Sequence, residues 1–158
     1  RKYMQDIHVK LFGKGEIIDT GSAAFDGVLN YKKQEAKNQG INMSVEINIP
    51  KDIEISPLHI TTILGNLLDN SMEAVRPLKE KWIKVRIFFK CNRINIQICN
   101  PFYDQPKEGN GNYVTSKNKK TWHGFGLQNA KKAIENYEGT MTIDADNHIF
   151  SVRITMFL

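Results

Sequence analysis

The chain has 158 residues and a mass of 18.1 kDa, the size of one ordinary domain. Hydrophobic residues make up 41% and charged residues 25%, which excludes fibrous, low-complexity and largely disordered chains. The net charge of +5 permits an anionic partner, but no pattern of aromatic and basic residues points to nucleic acid, so we expect no nucleic-acid binding. Cys91 and Cys99 suit neither a disulfide framework nor a zinc site, which favours a reducing, cytosolic compartment.

Hydrophobic periodicity predicts the elements in chain order. They are helices over Lys2–Phe12, Ser22–Gln39 and Ser56–Val75, strands over Ile41–Ile49, Trp82–Lys90 and Arg93–Cys99, a helix over Gly126–Glu138, and two final strands starting at Met141 and ending at Leu158. Short turns between the later strands predict a partly antiparallel sheet. We therefore expect an α/β fold, a two-layer sandwich with three helices packed on one face of a mixed sheet of about five strands.

The predicted helix Ser56–Val75 carries a polar ridge beside its apolar face. Asn66, Asn70 and Glu73 follow one another at spacings of four and three residues, which places them on one side of the helix. A solvated surface would also be polar, but asparagine is a poor helix former and occurs here twice. Carboxamide and carboxylate oxygens suit a hard cation such as Mg²⁺, so the ridge is a candidate metal and phosphate site.

A long polar stretch, Asn100–Trp122, interrupts the periodic pattern. Its length is unusual inside a compact domain and predicts either a functional lid or a surface excursion. His123-Gly124-Phe125-Gly126-Leu127 follows and leads directly into a helix. Glycines free backbone amides to point at a ligand, and a helix N-terminus adds a partial positive charge. This arrangement favours an anion-binding site, covered by the preceding stretch if that is a lid.

The order of these features resembles the nucleotide-binding domain of the GHKL superfamily, which has the Bergerat fold and includes gyrase and sensor histidine kinases. Ile63–Ala74 resembles the family's N box, and Thr115–Lys117 together with His123–Asn129 resembles its lid and G2 box. Leu29-Asn30-Tyr31-Lys32 is similar to a motif of the peptide-sensing kinases of quorum sensing. One departure is that Asn100-Pro101-Phe102 stands where the family has the Asp-x-Gly-x-Gly sequence of its G1 box.

The resemblance implies an ATP-binding catalytic domain that uses ATP and Mg²⁺. The residues implied in nucleotide binding are Asn66, Asn70, Glu73, Asn100, Lys117, His123, Gly124, Phe125, Gly126 and Leu127. Asn70 is the implied Mg²⁺ ligand and Asn66 the implied catalytic position. Asn100 replaces an aspartate that binds the adenine amino group, and it retains a carbonyl oxygen that accepts a hydrogen bond.

The implied function is transfer of the ATP γ-phosphoryl group to a histidine on an upstream helical domain. Residues 1–14 are then the tail of that domain, residues 15–158 form the catalytic domain, and His8 is not the acceptor. The implied partners are the upstream domain, a response regulator and a second copy in a homodimer of the full-length protein, a membrane-anchored sensor with this domain in the cytoplasm. Two alternatives stay open: a regulatory GHKL module without kinase activity, and a GHKL ATPase.

Overall fold

A computed structural model describes residues 10–13, 15–103, 107–109, 112–114 and 119–158, with the backbone alone for 107–109, 112–114 and 119–125. The described elements, in chain order, are β1 (Lys10–Phe12), α1 (Ala23–Asn38), β2 (Asn42–Asn48), α2 (Pro57–Val75), β3 (Trp82–Lys90), β4 (Arg93–Pro101), β5 (Lys107–Gly109), β6 (Asn112–Val114), α3 (Lys119–Glu135), β7 (Thr140–Asp146) and β8 (Ile149–Phe157). Within these residues, no helix is both long enough and apolar enough to cross a membrane.

Six strands form one mixed sheet in the order β1-β2-β3-β4-β8-β7. Strands β2 and β3 are parallel, with α2 between them in sequence, and every other pair in this sheet is antiparallel. The strand register aligns apolar residues across the sheet. One such row of directly paired and buried residues is Ile47, Ile87, Ile96 and Ile154. Because side chains alternate along a strand, these rows form one apolar face, which the helices cover.

The other face of the sheet carries polar and charged side chains. Arg86 Nε donates to Glu46 Oε2 at 3.0 Å, and the Arg86 guanidinium lies 4.9 Å from the centre of the Phe88 ring. Such contacts between exposed side chains are typical of a sheet with one solvated face. The described residues therefore form two layers, a mixed sheet and three helices, which confirms the predicted fold class. The sheet has six strands because β1 joins its edge.

Helix α2 is the central helix of the upper layer and packs against both α1 and α3. Its first turn is bound to the segment after α3 through Tyr137. The Tyr137 hydroxyl accepts a hydrogen bond from Ser56 N at 3.0 Å and lies 2.6 Å from His59 Nδ1. The positions of α2 and α3 are therefore coupled at the end where α2 begins.

The sequence-based prediction is wrong in three places. A helix was expected over Lys2–Phe12, but Lys10–Phe12 is a strand that pairs with β2, while residues 1–9 lie outside the described part. The last helix begins at Lys119 and not at Gly126. The stretch expected to lack periodicity contains the antiparallel pair β5 and β6. A three-residue edge strand is too short for its period to be recognised, and the pairing partners of such strands are set by the tertiary fold.

Candidate functional site

The polar ridge of α2 lies against α3 at Gly126. A Cβ atom placed on Gly126 would lie 3.7 Å from Oδ1 of Asn66 and 3.7 Å from Oδ1 of Asn70. Both asparagines are half-buried, as is Glu73 one turn further along α2. Two carboxamide oxygens from successive turns of one helix thus converge on a glycine of its neighbour. The structure brings together three of the residues that the sequence predicted as a site.

Hydrogen bonding fixes the orientation of the Asn66 carboxamide. Its Nδ2 donates to the carbonyl oxygen of Thr62, four residues earlier on the same helix, at 2.8 Å. Since the amide nitrogen is engaged with the helix backbone, the opposite atom of the group, Oδ1, is the one directed towards Gly126. Asn66 therefore directs a hydrogen-bond acceptor, Oδ1, at the contact between α2 and α3. A carboxamide oxygen accepts hydrogen bonds but does not act as a general base.

Asn100 lies in the sheet beneath the helices. It follows the buried residues Ile96 and Ile98 at two-residue spacing, so that it occupies the same face of β4, the face on which α2 packs. Its side chain is 1% exposed, and Nδ2 donates to the carbonyl oxygen of Pro101 at 3.0 Å. A polar group so deeply buried at the end of a core strand requires hydrogen-bond partners, and the Pro101 carbonyl oxygen is one of them.

The remaining predicted residues are described in part. Leu127 packs against the hydrophobic core, and the backbone of His123, Gly124 and Phe125 is helical because α3 starts at Lys119. Glycine destabilises a helix by about 1 kcal/mol relative to alanine, which is why the sequence indicated a later start. Only the first four amides of a helix lack intrahelical acceptors, so the amides of Gly124 and Gly126 lie beyond the free ones. Lys117 lies outside the described residues.

The sequence did not predict the ion pair that joins α1 to α2 beside the ridge. Lys32 Nζ, on α1, lies 2.6 Å from Asp69 Oδ1, on α2, and 3.3 Å from Glu35 Oε1. Burial lowers the pKa of the Lys32 ammonium, but hydrogen bonds and the charges of Asp69 and Glu35 outweigh it and leave the pKa above its usual value. No local spacing in the sequence indicates this contact, because Lys32 and Asp69 are 37 residues apart.

A second buried lysine of α1 has a different environment. Lys33 Nζ donates to the backbone carbonyl oxygens of Gly13 and Glu16, the latter at 2.7 Å. Burial lowers the pKa of this ammonium, and the charge of Glu16 only partly offsets the effect. Asn30, in the same helix, holds the backbone of Ile18 by accepting from its N–H at 2.8 Å and donating to its carbonyl oxygen at 2.9 Å. Lys33 and Asn30 therefore hydrogen-bond the segment that precedes α1 to this helix.

Comparison with known proteins agrees with this arrangement. The family model described as the GHKL domain matches residues 55–157. The nucleotide-free catalytic domain of histidine kinase ThkA has a TM-score of 0.61 and 16% identity, over 95% of this chain and 95% of that chain. Acinetobacter baumannii histidine kinase AdeS has a TM-score of 0.61 and 13% identity, over 97% of this chain and 70% of that chain. No curated protein matches the sequence.

At these identities the two solved structures share the fold with this chain. The family match extends over more than half of the residues and includes the ridge of α2, the end of β4 and Gly126. From its sequence and its architecture, the chain belongs to the GHKL domain family.

Proposed function

We propose that the chain is the ATP-binding catalytic domain of a two-component sensor histidine kinase. The proposed reaction transfers the γ-phosphoryl group of ATP to a histidine on an upstream helical domain outside residues 15–158. The observation that supports it best is the convergence of the Asn66 and Asn70 oxygens on Gly126. Because glycine has no side chain, residue 126 of α3 places no Cβ atom against these two oxygens.

The residues fit the nucleotide and its metal by their chemistry. Asn70 would hold Mg²⁺ through Oδ1, a hard donor, with Asn66 and Glu73 beside it. Bound Mg²⁺ neutralises phosphate charge during phosphoryl transfer, a reaction in which the protein mostly positions and stabilises charge. Asn100 would accept from the adenine amino group. The amides of Gly124, Gly126 and Leu127, with His123, Phe125 and Lys117, would surround the phosphates.

The chemistry of Asn66 favours transfer to a protein acceptor over hydrolysis. GHKL ATPases use a glutamate at the corresponding position as a general base towards water. A carboxamide cannot accept that proton, and Asn66 Nδ2 is already bound to Thr62. A reaction with a histidine side chain needs no such base on this helix.

A regulatory module without kinase activity is the second candidate, and Asn100 favours it. A neutral carboxamide in place of a carboxylate loses the charge-assisted part of the hydrogen bond to adenine. Nucleotide would then bind weakly, and protein contacts would carry the function.

The two candidates are separated by a calorimetric titration with a non-hydrolysable ATP analogue, with and without Mg²⁺. Kinase function requires binding that Mg²⁺ strengthens. Absence of binding under both conditions would contradict the proposal and leave the protein-contact module.

The proposed setting is a homodimer of a membrane-anchored sensor, with this domain in the cytoplasm and a response regulator as the final phosphoryl acceptor.

The chain alone is expected to incorporate no phosphate from ATP, because its acceptor histidine belongs to the upstream domain. The measurement is incubation with γ-labelled ATP and Mg²⁺, followed by assay for acid-labile label. A longer protein that includes the upstream domain is the positive control and should become labelled. Label on His8 of the isolated chain would contradict the placement of the acceptor.

Nucleotide is expected to change the start of α3. The amides of Gly124 and Gly126 can donate to phosphates only if the turns that begin at Lys119 unwind, because a helical amide is bound to the carbonyl four residues earlier. Hydrogen exchange over residues 104–126 should therefore change when the Mg²⁺-bound analogue is added, with slower exchange where amides contact phosphate. Exchange over residues 82–90, in β3, which carries none of the proposed site residues, is the internal control. Unchanged exchange over 104–126 with the analogue bound would exclude a role as a lid.

A further inference from the structure

The ion pair between α1 and α2 lies beside the proposed phosphate site. The side chain of Lys32 is 10% exposed, whereas that of its partner Asp69 is 56% exposed. The lysine is thus held within the protein, and the carboxylate that it binds reaches the surface. The distance of 2.6 Å between Lys32 Nζ and Asp69 Oδ1 shows a direct contact between the two charges.

Asp69 borders the ridge of α2. Side chains three and four positions apart on a helix are neighbours, so Asp69 is next to Asn66 on one side and Glu73 on the other. Without a cation, the Asp69 carboxylate would stand beside that of Glu73 on the surface that meets the phosphates in the proposed function. Two adjacent carboxylates there would repel a triphosphate.

We infer that Lys32 is a positioning residue for nucleotide phosphates: its ammonium holds the Asp69 carboxylate on the α1 side of α2 and cancels its charge. The inference rests on the proposed function, since it concerns the same site. Glu35, 3.3 Å from the ammonium, provides a second anion that keeps Lys32 charged and in place. The hydrogen bonds of Lys32 Nζ go to Asp69 and Glu35 and to neither Asn66 nor Asn70, so Lys32 acts through Asp69.

Replacing Lys32 with methionine tests the inference through ligand charge. Methionine fills similar space without the ammonium, so Asp69 is released. Affinity for the Mg²⁺-bound ATP analogue should fall about threefold to tenfold, the range expected for one unit charge near a polyanion at a protein surface. Affinity for adenosine, followed by chemical-shift titration, should stay the same because adenosine has no phosphate.

The double variant Lys32→Met/Asp69→Asn separates charge from packing. Removal of the released carboxylate should restore affinity for the ATP analogue to within about twofold of the wild type. The single variant Asp69→Asn, which keeps the lysine, should bind the analogue at least as tightly as the wild type, and it tests the inference even if Lys32→Met does not fold.

Lys33→Met is the matched control. Lys33 is 8% exposed on the same helix, but its ammonium binds backbone carbonyl oxygens and no residue of α2. This variant should melt at a lower temperature and keep the wild-type ratio of ATP-analogue affinity to adenosine affinity.

The outcomes separate failure of the proposed function from failure of the role inferred for Lys32. If the wild type binds no nucleotide, the proposed function and the inference both fail. If the wild type binds the analogue and Lys32→Met binds it equally well, the inference alone is wrong. A double variant as weak as Lys32→Met, or an Asp69→Asn variant weaker than the wild type, would show that the pair acts through packing and would also overturn the inference.

Discussion

Replacing Asn70 with alanine is expected to abolish the part of ATP binding that depends on Mg²⁺. The substitution removes the Oδ1 atom that converges with Asn66 Oδ1 on Gly126, and alanine offers no oxygen to a metal. Stability should change little or increase slightly, because Asn70 is half-buried and alanine is the better helix former. The measurement is calorimetric titration of the ATP analogue over a range of Mg²⁺ concentrations, with thermal melting to verify the fold.

Asn38→Ala provides the same chemical change away from the site. Asn38 is exposed at the end of α1, where its Oδ1 accepts from Gln34 at 3.1 Å. This variant should retain the Mg²⁺ dependence of the wild type. Equal affinity of Asn70→Ala and wild type in saturating Mg²⁺ would remove Asn70 from the metal site.

Replacing Gly126 with alanine is expected to raise stability and weaken nucleotide binding. Gly126 lies inside α3, where alanine is favoured over glycine by about 0.5–1 kcal/mol. The added Cβ would sit 3.7 Å from each asparagine oxygen, an ordinary contact distance that the packing of α2 against α3 accepts. The same methyl group covers the two oxygens, so affinity for the Mg²⁺-bound analogue should fall at least about tenfold, or about 1.4 kcal/mol.

Gly27→Ala separates the two effects. Gly27 lies inside α1, and a Cβ placed on it would have no neighbour within 4 Å. This variant should gain similar stability in chemical denaturation and bind the analogue like the wild type. If Gly126→Ala also binds like the wild type, the phosphates do not approach the ridge at this glycine.

Much of the fold could be predicted because its signals are local. The alternation of Ile94, Ile96 and Ile98 predicts β4 as a strand with one buried face, and the structure confirms it. The same alternation continues to Asn100 and accounts for its burial at the strand end. Helix α2 was equally predictable, since Pro57 follows Ser56 at its start and the apolar residues repeat with a helical period.

The prediction was wrong where local preference and tertiary packing disagree. Gly124 and Gly126 lower helix propensity and indicated a helix that starts after them, yet α3 begins at Lys119. Helix α3 packs against α2, with Asn66 and Asn70 at ordinary contact distance from a Cβ at Gly126, and this packing outweighs the low helix propensity of the glycines. Helix propensity does not contain that contact.

The sequence by itself determined which polar residues share one side of α2, because helical geometry sets that spacing within a few turns. Only the tertiary structure decided what this side faces. Asn66 and Asn70 meet Gly126 because α3 returns beside α2, and Asp69 meets Lys32 across 37 residues of chain because α1 packs on the opposite flank. Contacts between residues distant in sequence depend on how the helices cover the sheet, and the spacing of residues within one helix carries no information about its neighbours.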